Sequence, residues 1–135
     1  MLITIVTRKR APHFEDPTHA RAAIELLYRV RERHPFHLYG FVFMPDHCHL
    51  LMRVVAPLTI TMVMNSYKTG MFFAVGIPQF WQSRFHVRIA RNVPAALRYV
   101  DLNPVRAGLA KRVTEYPWSS ACGLWEVDPM AHSIA

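Results

Sequence analysis

The segment His47-Cys48-His49 sets two imidazoles two residues apart. In an extended strand such residues project from the same face. Two imidazoles side by side can chelate a divalent cation, with Cys48 turned the other way into a core. The spacing equally suits two unrelated strand histidines, in a chain that holds eight. A second pair is Tyr99 and Asn103, four apart in a segment of helical pattern, which stacks them on one helix face. A hydroxyl and an amide oxygen there could both reach a sheet edge. A half-buried tyrosine followed by a capping asparagine would give the same pattern. Tyr67 is the competing tyrosine, but it lacks a polar residue at i+4.

A third feature is charge. The stretch from Arg84 to Arg112 holds Arg84, Arg88, Arg91, Arg98, Arg106, Lys111 and Arg112, opposed only by Asp101. Phe80, Trp81 and Phe85 stand at its start. Cations that track a backbone, with aromatics that stack on bases, are what single-stranded nucleic acid requires. The alternative is a solvated basic face with Trp81 in the core.

The whole chain has the same bias. Its 135 residues carry a formal charge of +7 at pH 7, and thirteen of its sixteen Lys and Arg residues are arginine. Arginine presents a planar fork suited to phosphate oxygens, so a polyanion is the first partner to consider. A hydrophobic fraction of 52% supplies a sizeable core and argues against disorder. No apolar run approaches the roughly 20 residues that cross a bilayer. At the amino end the charges Arg8-Lys9-Arg10 follow the apolar stretch, the reverse of a secretory signal. Two cysteines, Cys48 and Cys122, make no disulfide scaffold. A cytoplasmic protein with no membrane contact is expected.

These residues need elements to hold them. Leu2 to Thr7 is apolar and β-branched, a strand. Asp16-Pro17 opens a helix, as cap and first-turn proline. Ala20, Ala23, Ile24, Leu27 and Val30 follow at helical spacing, and Pro35 ends it. Phe36 to Phe43 and His47 to Val55 read as strands separated by Met44-Pro45-Asp46. Leu58 to Phe73 reads as a helix. Arg84 to Ala90 alternates, predicting a half-buried strand with Arg84, His86 and Arg88 on its outer row. A last helix runs from Asn92 to about Leu102, stopped by Pro104. The order β-α-β-β-α-β plus a helix predicts an α+β fold, the ferredoxin-like split βαβ antiparallel sheet with an added C-terminal helix. One domain over 1–125 and a short tail over 126–135 are expected.

Four blocks of this sequence resemble a known family. Met44-Pro45-Asp46-His47-Cys48-His49-Leu50-Leu51 is similar to the MP(N/D/E)H-x-HLL segment of REP-associated tyrosine transposases, which are single-tyrosine HUH endonucleases. Phe80-Trp81-Gln82-Ser83-Arg84-Phe85 is similar to their FWQ-x-RF block. Tyr99-Val100-Asp101-Leu102-Asn103-Pro104-Val105-Arg106-Ala107-Gly108 is similar to Y-(I/V)-x-x-NPV-(R/K)-AG. Tyr116-Pro117-Trp118-Ser119-Ser120 resembles the closing YPWSS. The blocks occur in family order and span most of the chain. Cys48 is an unusual filler between the histidines, and His86 stands where many members carry an acid.

The resemblance implies a transposase that cleaves and joins single-stranded DNA, on hairpin-forming repeats. It implies His47, His49 and Asn103 as ligands of Mg²⁺ or Mn²⁺ and Tyr99 as the catalytic nucleophile, giving a 5′-phosphotyrosine. Arg84, Arg88, Arg91, Arg98, Arg106 and Trp81 are the expected DNA contacts. Monomer and dimer both stay open. Two other functions fit the residues: a non-catalytic module that binds single-stranded nucleic acid, and a metal-dependent phosphohydrolase that uses water in place of Tyr99.

Overall fold

The computed structural model describes residues 1–130. Strand β1 is Leu2–Val6. Helix α1, Pro17–Arg33, starts where the Asp16 side chain accepts the Thr18 N–H at 2.9 Å. Strands β2, His37–Met44, and β3, His47–Arg53, form a hairpin through Pro45-Asp46. Helix α2, Ile60–Val75, is capped by Thr59 and ends at Gly76, whose φ of 73° suits a residue without a side chain. Strand β4 is His86–Arg88 and helix α3 is Val93–Arg106.

The four strands form one antiparallel sheet in the order β2-β3-β1-β4. This interleaving of two βαβ halves is the expected ferredoxin-like arrangement. Strand alternation gives the sheet two apolar faces. Ile3, Ile5, Phe41, Phe43, Cys48 and Leu50 point to one side, where α1 and α2 cover them. Leu2, Val42, Met44 and Leu51 point to the other, where Ala96 and Val100 of α3 pack. No helix among the described residues is long and apolar enough to cross a membrane.

The free edge of β2 is sealed by the C-terminal segment. Phe43 N–H donates to the Trp118 carbonyl at 2.8 Å, and Phe41 N–H to Ser120 Oγ at 2.9 Å. Asp128 accepts from Arg31 at 2.7 Å and from the Leu38 N–H at 2.8 Å. Asp128 ties the expected tail to β2, while 131–135 lie outside the described residues.

Two expectations need correction. Pro104 does not stop the last helix, which runs on to Arg106. Proline removes only one N–H, and Pro104 is buried. The last turn closes through Ala107 N–H to Asn103 O at 3.0 Å and Leu109 N–H to Pro104 O at 2.8 Å. The strand expected over Arg84 to Ala90 shrinks to three exposed residues, with Val87 43% and Ile89 71% exposed. It is an edge strand that no layer covers, so alternation there does not signify half-burial.

Gly40 fixes how closely α3 approaches. A Cβ at this position would stand 2.4 Å from Leu97 Cδ1 and 3.3 Å from Ser120 Oγ. Gly40→Val is expected to destabilise the protein by about 1–3 kcal/mol through overpacking, measured by urea denaturation. An unchanged denaturation midpoint would mean that α3 does not depend on this contact.

Candidate active site

Alternation along β3 turns Cys48 into the core and leaves His47 and His49 on the α3 face. His47 pairs across the sheet with Val6 and Met44, and His49 with Thr4 and Val42. The two imidazoles lie edge to face, with centroids 5.0 Å apart. His49 is buried, and its Nδ1 lies 2.9 Å from Thr4 Oγ1. Burial first, then the neighbouring His47 and Arg88 charges, push it down to about 4. The ring is therefore neutral at pH 7. His47 Nδ1 lies 2.7 Å from Asp46 Oδ1, and Asp46 Oδ2 accepts from Arg10 at 3.1 Å. Burial pushes the Asp46 carboxyl up, but the hydrogen bonds and charges of His47 and Arg10 outweigh this and hold it below the ordinary value. An ionised carboxylate only accepts, so His47 Nδ1 carries the proton. Its Nε2 lies on the other side of the ring from Asp46.

The third group comes from α3. Asn92 caps this helix by accepting the Ala95 N–H at 3.0 Å. Ala96 and Val100 turn to the sheet, which leaves Tyr99 at the flank. Its ring meets that of His49 at a centroid distance of 5.5 Å and an angle of 68°. Tyr99 is 39% exposed. Its hydroxyl has no hydrogen-bond partner among the described residues. The Arg106 guanidinium stands 5.9 Å from the Tyr99 ring centre. A hollow of about 200 Å³ opens here, lined by Thr4, His49, His86, Arg88 and Tyr99.

Asn103 follows one turn later and is half-buried. Its Nδ2 turns back toward the Tyr99 carbonyl at 3.5 Å, and it makes no hydrogen bond to either imidazole. The structure therefore joins His47, His49 and Tyr99 directly, with Asn103 beside them on the same helix. Among the described residues no three His, Cys, Asp or Glu side chains gather to hold a metal. Tyr67 is fully buried and donates to the Ala23 carbonyl at 2.8 Å, which leaves it unavailable as a nucleophile.

Of the expected DNA contacts, Arg84, Arg88, Arg91, Arg98 and Arg106 are all exposed. None pairs with a carboxylate among the described residues. Arg88 lines the hollow and Arg106 overlies Tyr99. Trp81 is corrected: it is 6% exposed and packs among Phe14, Tyr67 and Phe80. A ring enclosed on its faces cannot stack on a base. Thr4, Arg10 and Asp46 were not anticipated as site residues; His86 was expected in the outer row of its strand, where many family members carry an acid. Asp46 adjoins His47 in the chain and was legible. Thr4 and Arg10 reach the site through strand register and a loop, which leave no local pattern.

The family described as "Transposase IS200 like" matches residues 1–102, and the chain belongs to it. It is an enzyme of the transposase class. The REP-associated tyrosine transposase of Escherichia coli (strain K12) is 27% identical over 111 residues, which is 76% of this chain and 67% of that one. A solved structure of a REP-associated tyrosine transposase bound to a REP hairpin superposes with a TM-score of 0.76 at 22% identity, covering 96% of this chain and 84% of that one. A Deinococcus radiodurans protein assigned to the transposases gives a TM-score of 0.56 at 17% identity, over 73% of this chain and 84% of that one. These two likenesses carry the fold.

The two tyrosines should separate by stability. Tyr67→Phe strands a buried carbonyl and is expected to lose about 1–2 kcal/mol. Tyr99→Phe removes a hydroxyl that has no partner among the described residues and should stay within about 0.5 kcal/mol of the parent. Thermal or urea unfolding decides; equal losses would contradict the two environments.

Proposed function

We propose that this chain cleaves and rejoins single-stranded DNA with Tyr99 as nucleophile, on substrates that include hairpin-forming repeats. The observation that carries the reading is the edge-to-face contact of Tyr99 with His49, which brings a solvent-accessible phenol from α3 to the paired imidazoles of β3. Membership of the transposase family supports it. So does the hairpin in the solved structure of the similar protein.

The donor chemistry fits a divalent cation. Both Nδ1 atoms have partners, Asp46 for His47 and Thr4 for His49, an arrangement in which both Nε2 atoms are placed to serve as metal ligands. Such fixing of the ring by its other nitrogen is usual at metal-binding histidines. Asn103 would add its amide oxygen. We assign His47, His49 and Asn103 as ligands of Mg²⁺ or Mn²⁺. When bound, the ion supplies neutralising charge to the non-bridging phosphate oxygens.

The chain's own residues do the rest. Tyr99 Oη attacks phosphorus in line, the phenol loses its proton, and a new O–P bond forms. The bond from phosphorus to the 3′ oxygen breaks and that oxygen gains a proton. The products are a 5′-phosphotyrosine and a free 3′-hydroxyl. A 3′-hydroxyl can later attack the same linkage, which restores the phenol and joins two strands. Arg106 holds positive charge beside the ring where negative charge develops. Arg88 at the rim of the hollow is set to meet a phosphate, and Arg84, Arg91 and Arg98 extend the basic surface. Two free cysteines, one of them buried, suit the reducing cytoplasm, where we place the reaction.

The test is a covalent adduct. Incubated with Mn²⁺ and a labelled hairpin bearing single-stranded flanks, the parent protein is expected to give a slow-migrating protein–DNA band on a denaturing gel. EDTA should abolish it. Tyr99→Phe should lose the band while its DNA affinity stays within about twofold of the parent, since one exposed hydroxyl contributes little to binding. Cleavage without a trapped adduct would instead favour the hydrolase, and binding indifferent to EDTA with no cleavage would favour the non-catalytic module.

A further inference from the structure

We propose that His86 is a catalytic residue: it hands a proton to the 3′ oxygen as that oxygen leaves phosphorus, and takes the proton back when a 3′-hydroxyl attacks. This rests on the strand-cleaving reading above, which requires a donor for that proton.

Strand register puts His86 in place. Thr4 pairs with His49 on one side and with His86 on the other. Directly paired residues project from the same face of a sheet, so His49, Thr4 and His86 form one row across β3, β1 and β4. Neighbouring strands lie about 4.8 Å apart, which sets the two histidine backbones roughly 10 Å from each other. Tyr99 stands at the β3 end of this row, with its ring against His49. His86 stands at the β4 end, and both residues line the hollow of about 200 Å³.

An in-line displacement has a fixed geometry, with the attacking and leaving oxygens on opposite sides of phosphorus. A phosphate held in the hollow and attacked by Tyr99 Oη from the β3 side expels its 3′ oxygen toward the β4 side. That is the wall where His86 stands.

Proton chemistry selects the same residue. The departing oxygen needs a positioned proton donor. The side chains lining the hollow that carry exchangeable protons are Thr4, His49, His86, Arg88 and Tyr99, and no carboxylate lines it. Tyr99 is the nucleophile. Thr4 Oγ1 and His49 Nδ1 engage each other at 2.9 Å, and His49 Nε2 is assigned to the cation. Arg88 does not give up its proton in a protein. An imidazole gives and takes one near neutral pH. The His86 side chain is exposed and makes no hydrogen bond or ion pair among the described residues. The charged and titratable groups around it are Arg88 on its own strand, His49 and Tyr99 across the hollow, and Arg8, Lys68 and Arg84 on its other side.

The step balances as follows. In cleavage the Tyr99 phenol, 39% exposed, releases its proton to solvent and the Oη–P bond forms. The bond from phosphorus to O3′ breaks, and an N–H proton of the His86 imidazolium passes to O3′, leaving the neutral ring. In joining, neutral His86 takes the proton of the attacking 3′-hydroxyl, the O3′–P bond forms, the Oη–P bond breaks, and the phenolate regains a proton from solvent.

The experiment uses the full chain, Mn²⁺ and two labelled hairpins with single-stranded flanks. One carries the ordinary scissile phosphate, and in the other sulfur replaces the 3′ oxygen. A thiol is far more acidic than an alcohol, so sulfur departs as thiolate without a proton donor. Single-turnover adduct formation is read on denaturing gels. His86→Ala and His86→Gln each alter an exposed side chain, and melting curves verify folding. Both are expected to slow adduct formation on the oxygen substrate about 100-fold, and to match the parent within about threefold on the sulfur substrate. Variants as fast as the parent on oxygen would overturn the assignment. So would equal deficits on both substrates, which mark a residue that places the strand or supports the sheet edge. In either case an adduct from the parent leaves the strand-cleaving reading intact. No adduct from the parent on either substrate overturns that reading, and the role of His86 with it.

Discussion

The seating of α3 on half of one sheet face decides the rest of this structure. Ala96 and Val100 pack against Val42, Met44 and Leu51, over the β2–β3 side of the sheet. Among the described residues no helix lies above the β1–β4 side of that face. His49 lies on the boundary, and so its ring is buried yet meets Tyr99 at the rim of an open hollow. A wider layer would have closed the hollow, and a narrower one would have left His49 in water with an ordinary affinity for protons. The close approach depends on Gly40, where a side chain would collide with Leu97.

Electrostatics around this point are divided. Burial and nearby cations favour the neutral, electron-donating form of His49. A few ångströms away, Arg88 and Arg106 are exposed and unpaired, placed for a polyanion rather than for stability. The Asp46 carboxylate is engaged on both oxygens by Arg10 and His47. It orients an imidazole instead of repelling a phosphate. A hollow with positive walls attracts a nucleic acid from solution, while the core behind it stays apolar.

The expectations that failed did so for a common reason: local pattern carries no information about which layers exist. Alternation from Phe85 to Ile89 looks like burial on one side, but β4 lies at an edge with nothing stacked on it. Trp81 has neighbours in sequence that suit a binding surface, yet Phe14 and Tyr67, from other elements, enclose it. Pro104 carries a strong local signal to stop a helix, yet the helix runs past it to Arg106 and closes through the Ala107 and Leu109 N–H groups. For Trp81 the deciding contacts join residues far apart in the chain.

From composition and spacing alone, the strands, the helices, their order and the basic character of the molecule were determined, because periodicity of two or of 3.6 is a local property. The orientation of Cys48 away from His47 and His49 was likewise fixed by the strand period. Whether Tyr99 would meet those histidines was not, since that distance is set by sheet register and by the packing of α3, both products of long-range contacts. Thr4 beneath His49, Arg10 behind Asp46, and His86 across the hollow from Tyr99 all belong to the same category. They come into being only when separate segments are brought side by side, and no stretch of sequence contains them.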